Sequence, residues 1–212
     1  MHLNHFVIDD FFEEPDPIRE MALKMTYPDR DETEYYPGRN AAGQIQLPGI
    51  EKFIGGIVRT PLVQAASTSH AQPRLAVEGD DGKVSIHIDP VDWSALIYLT
   101  KPEHCQGGTH FYRHKKTGWD RAPVYPGEPE QLGYGSLRGA IDDILNTGGA
   151  NDMDQWEESM VLPMRYNRIV IFRGYLYHDA GKSFGSSIDD GRLILPLFFK
   201  NPQSKTLLYT EE

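Results

Sequence analysis

His87 and Asp89 lie two positions apart in "KVSIHIDPVDWSALIYLT", residues 83–100. An extended strand sends alternate side chains to opposite faces. Val84, Ile86 and Ile88 then share one face, and Ser85, His87 and Asp89 share the other. An imidazole nitrogen and a carboxylate oxygen are suitable ligands for a divalent transition metal, and two from one strand leave room for a third from elsewhere. Taken alone the pair is weak. The chain has 8 histidines, so a chance His-x-Asp is common, and a solvated strand face is its ordinary meaning.

Two further residues change the balance. His178 closes the apolar stretch "NRIVIFRGYLYH" where it meets a loop, and Arg192 opens "GRLILPLFF". A lone histidine at a strand end is more often structural than a ligand. An arginine entering a core strand is harder to dismiss, because an unpaired guanidinium there is costly. The carboxylate of a bound ligand would satisfy it in bidentate fashion. His110 and His114, with His104 nearby, look like a second cluster, but strand positions four apart are about 13 Å from each other and cannot share one ion. Cys105 has no partner cysteine and is read as incidental. The glycine pairs at 107–108 and 148–149 lack the context of a phosphate loop.

The elements that must position these residues are mostly strands. "LNHFVIDDFF" reads as a short strand. In "PDPIREMALKM", Asp16 is the expected N-cap and Pro17 the first helical residue, with Ile18, Met21, Ala22 and Met25 on one helical face. Thr26 to Pro48, including "YYPGRN", reads as loop, and "GIEKFIGGIV" fits helix or strand. "RLAVEG" and "KVSIHID" are expected to form a hairpin across Asp81-Gly82. "WSALIYLT", "GGTHFYRH", "NRIVIFRGYLYH" and "GRLILPLFFK" follow as strands, and Pro196 implies an edge position or a bulge in the last. Between Lys115 and Tyr166 lies a long insertion with a short glycine-stopped helix, "SLRGAIDDILNTGG". A lid, a dimer contact and a plain covering are all roles open to it. No Gly/Ser-rich linker cuts the chain, so one domain over residues 1–212 is expected.

The bulk properties restrict function. A chain of 212 residues suits one substantial core. At 39% hydrophobic and 25% charged residues it is a folding rather than a disordered composition. A net charge of −10 argues against a broad grip on nucleic acid or anionic lipid. The single cysteine excludes an internal disulfide. No apolar run approaches the roughly 18–20 residues of a membrane span, and no signal-peptide core opens the chain. A cytoplasmic setting is the expectation.

The ordered set "HID", "ALIYLT", "GGTHFY", "NRIVIFRGYLYH" and "GRLILPLFF" resembles the Fe(II)/2-oxoglutarate-dependent dioxygenases of the prolyl-hydroxylase type. "FVIDDFFEEPDPIREMAL" is similar to the opening segment of a bacterial branch of such oxygenases. The resemblance implies a mainly β fold with flanking helices: a double-stranded β-helix (jelly-roll, cupin-like) core, an N-terminal helix and the long insertion. It implies that His87, Asp89 and His178 form a facial triad for Fe(II), that Arg192 pairs with the distal carboxylate of 2-oxoglutarate, and that Tyr98 hydrogen-bonds the same group. Ile194 and Phe198 share a strand face with Arg192 and are expected along the pocket wall. The implied reaction consumes O2 and 2-oxoglutarate and hydroxylates a C–H bond of a small molecule, amino acid or peptide. Retention of the Asp89 carboxylate favours hydroxylation or another oxidation over halogenation. Trp93, Thr109, His110, Tyr36 and Arg39 are the candidate substrate contacts. Two departures stand out: Ile194 occupies a position where many members have serine, and the interval from His178 to Arg192 is long. A cupin-like metalloenzyme that does not use 2-oxoglutarate, or a non-catalytic binding module, is the rival expectation, and a homodimer is compatible with either.

Overall fold

In the computed structural model, which describes residues 3–29, 35–147 and 149–209, two antiparallel sheets supply the walls of one cavity. Among the described residues the strands are β1 (His5–Ile8), β2 (Arg39–Asn40), β3 (Val63–Gln64), β4 (Arg74–Ala76), β5 (Trp93–Tyr98), β6 (Gly108–His114), β7 (Trp156–Pro163), β8 (Ile169–Phe172), β9 (His178–Asp179) and β10 (Arg192–Lys200). The larger sheet runs β1-β8-β5-β10-β4-β2, with β3 also on β10, and the smaller runs β7-β6-β9. Helices are few: α1 (Pro15–Leu23), α2 (Ile50–Val58) and the short α3 (Glu128–Gln131) and α4 (Leu137–Ile141). No helix among the described residues is long and apolar enough to cross a membrane.

Alternation along β5 and β10 sets the architecture. The two pair from Ile194 opposite Tyr98 to Phe199 opposite Trp93. Leu193, Leu195, Leu197 and Phe199 point with Trp93, Ala95 and Ile97 into the main core, against Ile54 and Val58 of α2. Full burial of each such side chain stabilises by roughly 1.5–3 kcal/mol. The alternate residues Arg192, Ile194, Pro196, Phe198 and Leu96 face the cavity instead. One strand pair therefore builds the core with one face and the site with the other.

Several expectations are corrected. Pro196 sits in a central strand, not at an edge, without a bulge in its pairing to β5. On its other side β4 pairs only with 192–194 and β3 only with 199–200, so the proline lies in the gap, where its carbonyl accepts from Ala71 N–H and no ladder donor is required of it. The hairpin across Asp81-Gly82 does not form. β4 ends at Ala76, and residues 83–90 hold a single strand-like bridge, His87 to His178. Their backbone donors go elsewhere, from Ile86 to Ala150 O and from Asp89 to Gly174 O. "NRIVIFRGYLYH" is two strands, β8 and β9, broken at the Arg173-Gly174 turn. Helix α1 begins at Pro15 with Glu14 at its N-cap, because the Asp16 carboxylate is engaged by Lys101 and Tyr166. On that helix Ala22 is buried but Met21 is exposed. "GIEKFIGGIV" is helical. Part of the expected 26–48 loop, residues 30–34, and Gly148 lie outside the described residues.

The segment from Lys115 to Tyr166 is built into the fold. Its end is β7, paired with β6 from Pro163 opposite Gly108 to Trp156 opposite His114. Its middle packs Val124, Leu137, Ile144 and Trp156 with Ile86 and Tyr177 in a second core. The short helical stretch ends at Asn146, and the carbonyl of Gly149 accepts from Trp156 Nε1 at 2.8 Å.

Candidate metal centre

Three backbone constraints bring His87, Asp89 and His178 together. His87 and His178 pair through N–H to carbonyl bonds of 2.9 and 3.0 Å in both directions, and Asp89 N–H donates to Gly174 O at 2.8 Å. Gly174 permits that approach: a Cβ there would stand 2.6 Å from Val91 O and 2.9 Å from Asp89 O. The result is one ligand atom from each side chain, all within 4.8 Å of one another. Among the described residues no other trio of His, Cys, Asp or Glu converges in this way.

The same device aims both histidines. His87 Nδ1 lies 2.9 Å from Ser85 O, and His178 Nδ1 lies 2.8 Å from Leu176 O. A carbonyl can only accept, so each Nδ1 carries its proton, and in the neutral ring Nε2 is left with the lone pair. His178 Nε2 is 3.5 Å from Asp89 Oδ2, and His87 Nε2 is 4.0 Å from Asp89 Oδ1. Ser94 Oγ donates to Asp89 Oδ2 at 2.5 Å and fixes the carboxylate. Burial, reinforced by neighbouring His178, pushes His87 down to about 4. Burial also pulls on His178, but Asp89 beside it prevails and its pKa is raised. Asp89 is lowered: burial opposes its charge, and His178 with the Ser94 hydrogen bond outweighs that. The trio is thus a neutral imidazole, an anionic carboxylate and a second imidazole in one dry corner.

These side chains line a cavity of about 1340 Å³. Arg192 lines it too, with 4% of its surface exposed and with Nε and Nη2 buried and without an acceptor. Burial depresses its pKa, while Tyr98 and Asp179 nearby favour the charge. The Tyr98 hydroxyl meets Thr109 Oγ1 at 2.7 Å; burial raises its pKa and the Arg192 charge opposes that rise.

Of the candidate substrate contacts, Tyr36, Thr109 and His110 line the cavity. The Tyr36 ring packs on His87 with centroids 4.5 Å apart. Thr109 sits with Tyr98 rather than at the mouth, and His110 Nδ1 lies 2.7 Å from Glu158 Oε2. Trp93 is not at the mouth: it is fully buried in the main core, under the Arg173 guanidinium at 3.9 Å. Strand parity explains this, since position 93 falls on the face opposite 94, 96 and 98. Arg39 is on β2 away from the cavity, 3.9 Å from Asp29. Ile194 and Phe198 line the wall as their parity requires. Sequence reasoning missed Ser94 and Gly174. Parity with Tyr98 would have flagged Ser94; no local signal marks Gly174.

The sequence pattern of a family described as "Family of unknown function (DUF6445)" matches residues 2–199. No curated protein matches the sequence. Among solved structures, the non-heme α-ketoglutarate-dependent epimerase SnoN from nogalamycin biosynthesis is similar at a TM-score of 0.50 and 11% identity, covering 93% of this chain and 76% of that one. HygX from Streptomyces hygroscopicus, solved with nickel and 2-oxoglutarate bound, has a TM-score of 0.48 and 12% identity over 94% of this chain and 84% of its own. An oxidoreductase of the 2OG-Fe(II) oxygenase family from Burkholderia pseudomallei has a TM-score of 0.48 and 11% identity over 96% and 87%. The structural neighbours are therefore enzymes of the 2-oxoglutarate-dependent group. The likeness to SnoN is one of fold.

Proposed function

The chain belongs to the DUF6445 family, and we propose that it is an Fe(II)- and 2-oxoglutarate-dependent oxygenase that hydroxylates a C–H bond of a small molecule or peptide. The single observation that carries this reading is Arg192, a buried guanidinium with two unaccepted nitrogens in the same cavity as the His87, Asp89 and His178 trio. A cation so placed asks for an anionic ligand, and the trio's two imidazoles and one carboxylate suit a divalent first-row ion with open positions. Both demands are met by one metal-chelating keto acid. In this reading the two sheets are the walls of a double-stranded β-helix of the prolyl-hydroxylase type, within one domain.

The residues divide the work. His87, Asp89 and His178 would hold the iron, and the carbonyls of Ser85 and Leu176 fix both rings through Nδ1 and leave each Nε2 for it. Arg192 takes the distal carboxylate of 2-oxoglutarate in bidentate fashion, with the Tyr98 and Thr109 hydroxyls beside it. Leu96, Phe172 and Ile194 keep that wall apolar, which excludes water and strengthens the charge pairing. Bound iron with 2-oxoglutarate and O2 would supply the oxidising power. Asp89, a carboxylate ligand, favours oxygen insertion over halogenation. Nucleic acid is a poor partner for a chain of net charge −10.

Anaerobic titration of 2-oxoglutarate into the Fe(II)-loaded protein tests the reading, because chelation gives a visible charge-transfer band. The band is expected in the wild type, only at much higher cosubstrate in Arg192→Ala, and not in Asp89→Ala. Iron uptake without a band transfers the assignment to a cupin-like metalloenzyme that does not use 2-oxoglutarate. No iron uptake removes the metal centre altogether.

A further inference from the structure

The cavity is too large for a cosubstrate alone. Its volume of about 1340 Å³ exceeds the roughly 300–1,000 Å³ of pockets that enclose a drug-sized ligand. Its wall changes character from base to rim. At the base lie the trio and Arg192. Beside them Leu96, Phe172, Phe184, Ile194 and Phe198 form an apolar band. Five of the remaining lining residues are carboxylates: Glu78, Asp80 and Asp81 on the loop after β4, Glu158 on β7, and Asp179 on β9 beside His178.

The basic residues do not balance them. Among the described residues, lysine and arginine line the cavity only as Arg74, Lys182 and Arg192. Arg192 is at the base. Arg74 is committed to the chain, with Nε on Pro37 O, Nη1 on Asn40 Oδ1 and Nη2 on Tyr36 O and Gly38 O. Lys182 remains. Three of the carboxylates accept local donors, Asp80 from Val77 N–H, Asp179 from Tyr112 and Gly181 N–H, and Glu158 from His110. Among the described residues none of the five is paired with a lysine or arginine. An acidic rim alone would mean little on so acidic a protein. Here it surrounds the opening of a cavity into whose base a buried, unaccepted guanidinium points, so the rim belongs to a ligand site.

We propose that the substrate is an amphipathic amine or guanidine. Its apolar segment lies along Leu96, Phe172, Ile194 and Phe198 beside the metal ligands, and its cationic end is received by the rim carboxylates, Glu158 and Asp81 foremost. The chemistry after binding rests on the oxygenase reading; the charge preference in binding does not. Clefts lined by one sign of charge concentrate ligands of the other, and the anionic cosubstrate escapes this bias because Arg192 waits at the base.

The probes are three near-isosteric molecules: phenethylamine, its N-acetyl derivative and 3-phenylpropanoate, carrying positive, no and negative charge. Calorimetric titration at low ionic strength is run on the metal-free protein and on protein loaded with Ni(II) and 2-oxoglutarate. The amine is expected to bind about tenfold tighter than its neutral twin in both forms, with the carboxylate weakest once 2-oxoglutarate occupies Arg192. The gap should close in Glu158→Gln/Asp81→Asn, whose folding is checked by thermal melting, and should shrink as salt is added. Equal or tighter binding of the neutral probe, or of the anionic probe to the loaded protein, binding of none of them, or a gap that survives the double substitution overturns the proposal. Failure to take up Ni(II) and 2-oxoglutarate with the charge order intact in metal-free protein sinks the oxygenase reading alone. Uptake without the charge order sinks the amine substrate alone.

Discussion

Arg74 and Arg192 line the same cavity and meet opposite fates. Arg74 donates to three backbone carbonyls and one side-chain amide, at 2.7–3.2 Å, and so holds the Tyr36–Asn40 strap against β4. Arg192 is 4% exposed and leaves Nε and Nη2 without acceptors. Burial alone is not the difference. Arg19, at 9% exposure, donates to Leu99 O and Asp189 O. Arg74 and Arg19 have their donors closed by the chain; the donors of Arg192 stay open at a cost in stability, and they do so on the wall of a cavity where a ligand can close them.

The sharpest test exchanges the two roles. Arg192→Met should weaken 2-oxoglutarate binding to the Fe(II) protein by about 1,000-fold, while its melting temperature stays level or rises, since an uncompensated buried charge is removed. Arg74→Met should do the reverse. Losing its set of hydrogen bonds is expected to cost about 3 kcal/mol in denaturant unfolding, with cosubstrate affinity changed only a few-fold. If both variants melt equally early and bind alike, the two arginines do one job and the contrast is gone.

How much of this was legible follows from strand parity. The cavity face of β10, with Arg192, Ile194 and Phe198, is readable from alternation alone, and so is the convergence of His87 with Asp89. Parity applied to β5 would also have kept Trp93 out of the site. What alternation cannot supply is pairing partners. Residues 83–90 look like a strand of a hairpin, yet their hydrogen bonds run to Gly174, His178 and Ala150, contacts that only the closed chain defines. Arg74 was equally opaque: nothing local says that a guanidinium will find four acceptors 34–38 residues back. Pro196 misled for the same reason, because a gap between two short partner strands is a property of the sheet.

His87 and His178 repeat the contrast at smaller scale. Their Nδ1 atoms are tied identically, but Asp89 raises His178 while burial takes His87 down to about 4. An unfolded histidine titrates near 6.5. Between about pH 6.5 and 4 the unfolded chain therefore binds the His87 proton and the folded chain does not. Metal-free protein should lose stability as pH falls through that window, by roughly 3 kcal/mol in all, and gain nothing from this group above it. His178 has the opposite sign: its contribution is complete below pH 6.5 and is lost as pH rises through its elevated folded value. It adds no acid limb. Urea unfolding at a series of pH values, repeated on His87→Gln, should show the limb flatten; an unchanged limb would assign it elsewhere.

The smallest effect discriminates most finely. Ser94 is fully buried on the cavity face of β5 and gives its hydroxyl to Asp89 Oδ2 at 2.5 Å. It is a donor closed by the chain, like those of Arg74, but the group it closes on belongs to the trio proposed to hold the metal. Ser94→Ala should therefore lower metal affinity by about tenfold, read by competition with a chelator, while unfolding free energy changes by no more than about 1 kcal/mol. A loss of stability without a loss of metal affinity would make Ser94 part of the scaffold and leave Asp89 aimed by its backbone bond to Gly174 alone. The reverse result would show that the site's precision lies in hydrogen bonds which contribute little to folding, with Ser94, Ser85 and Leu176 directing the trio while Arg192 stays open.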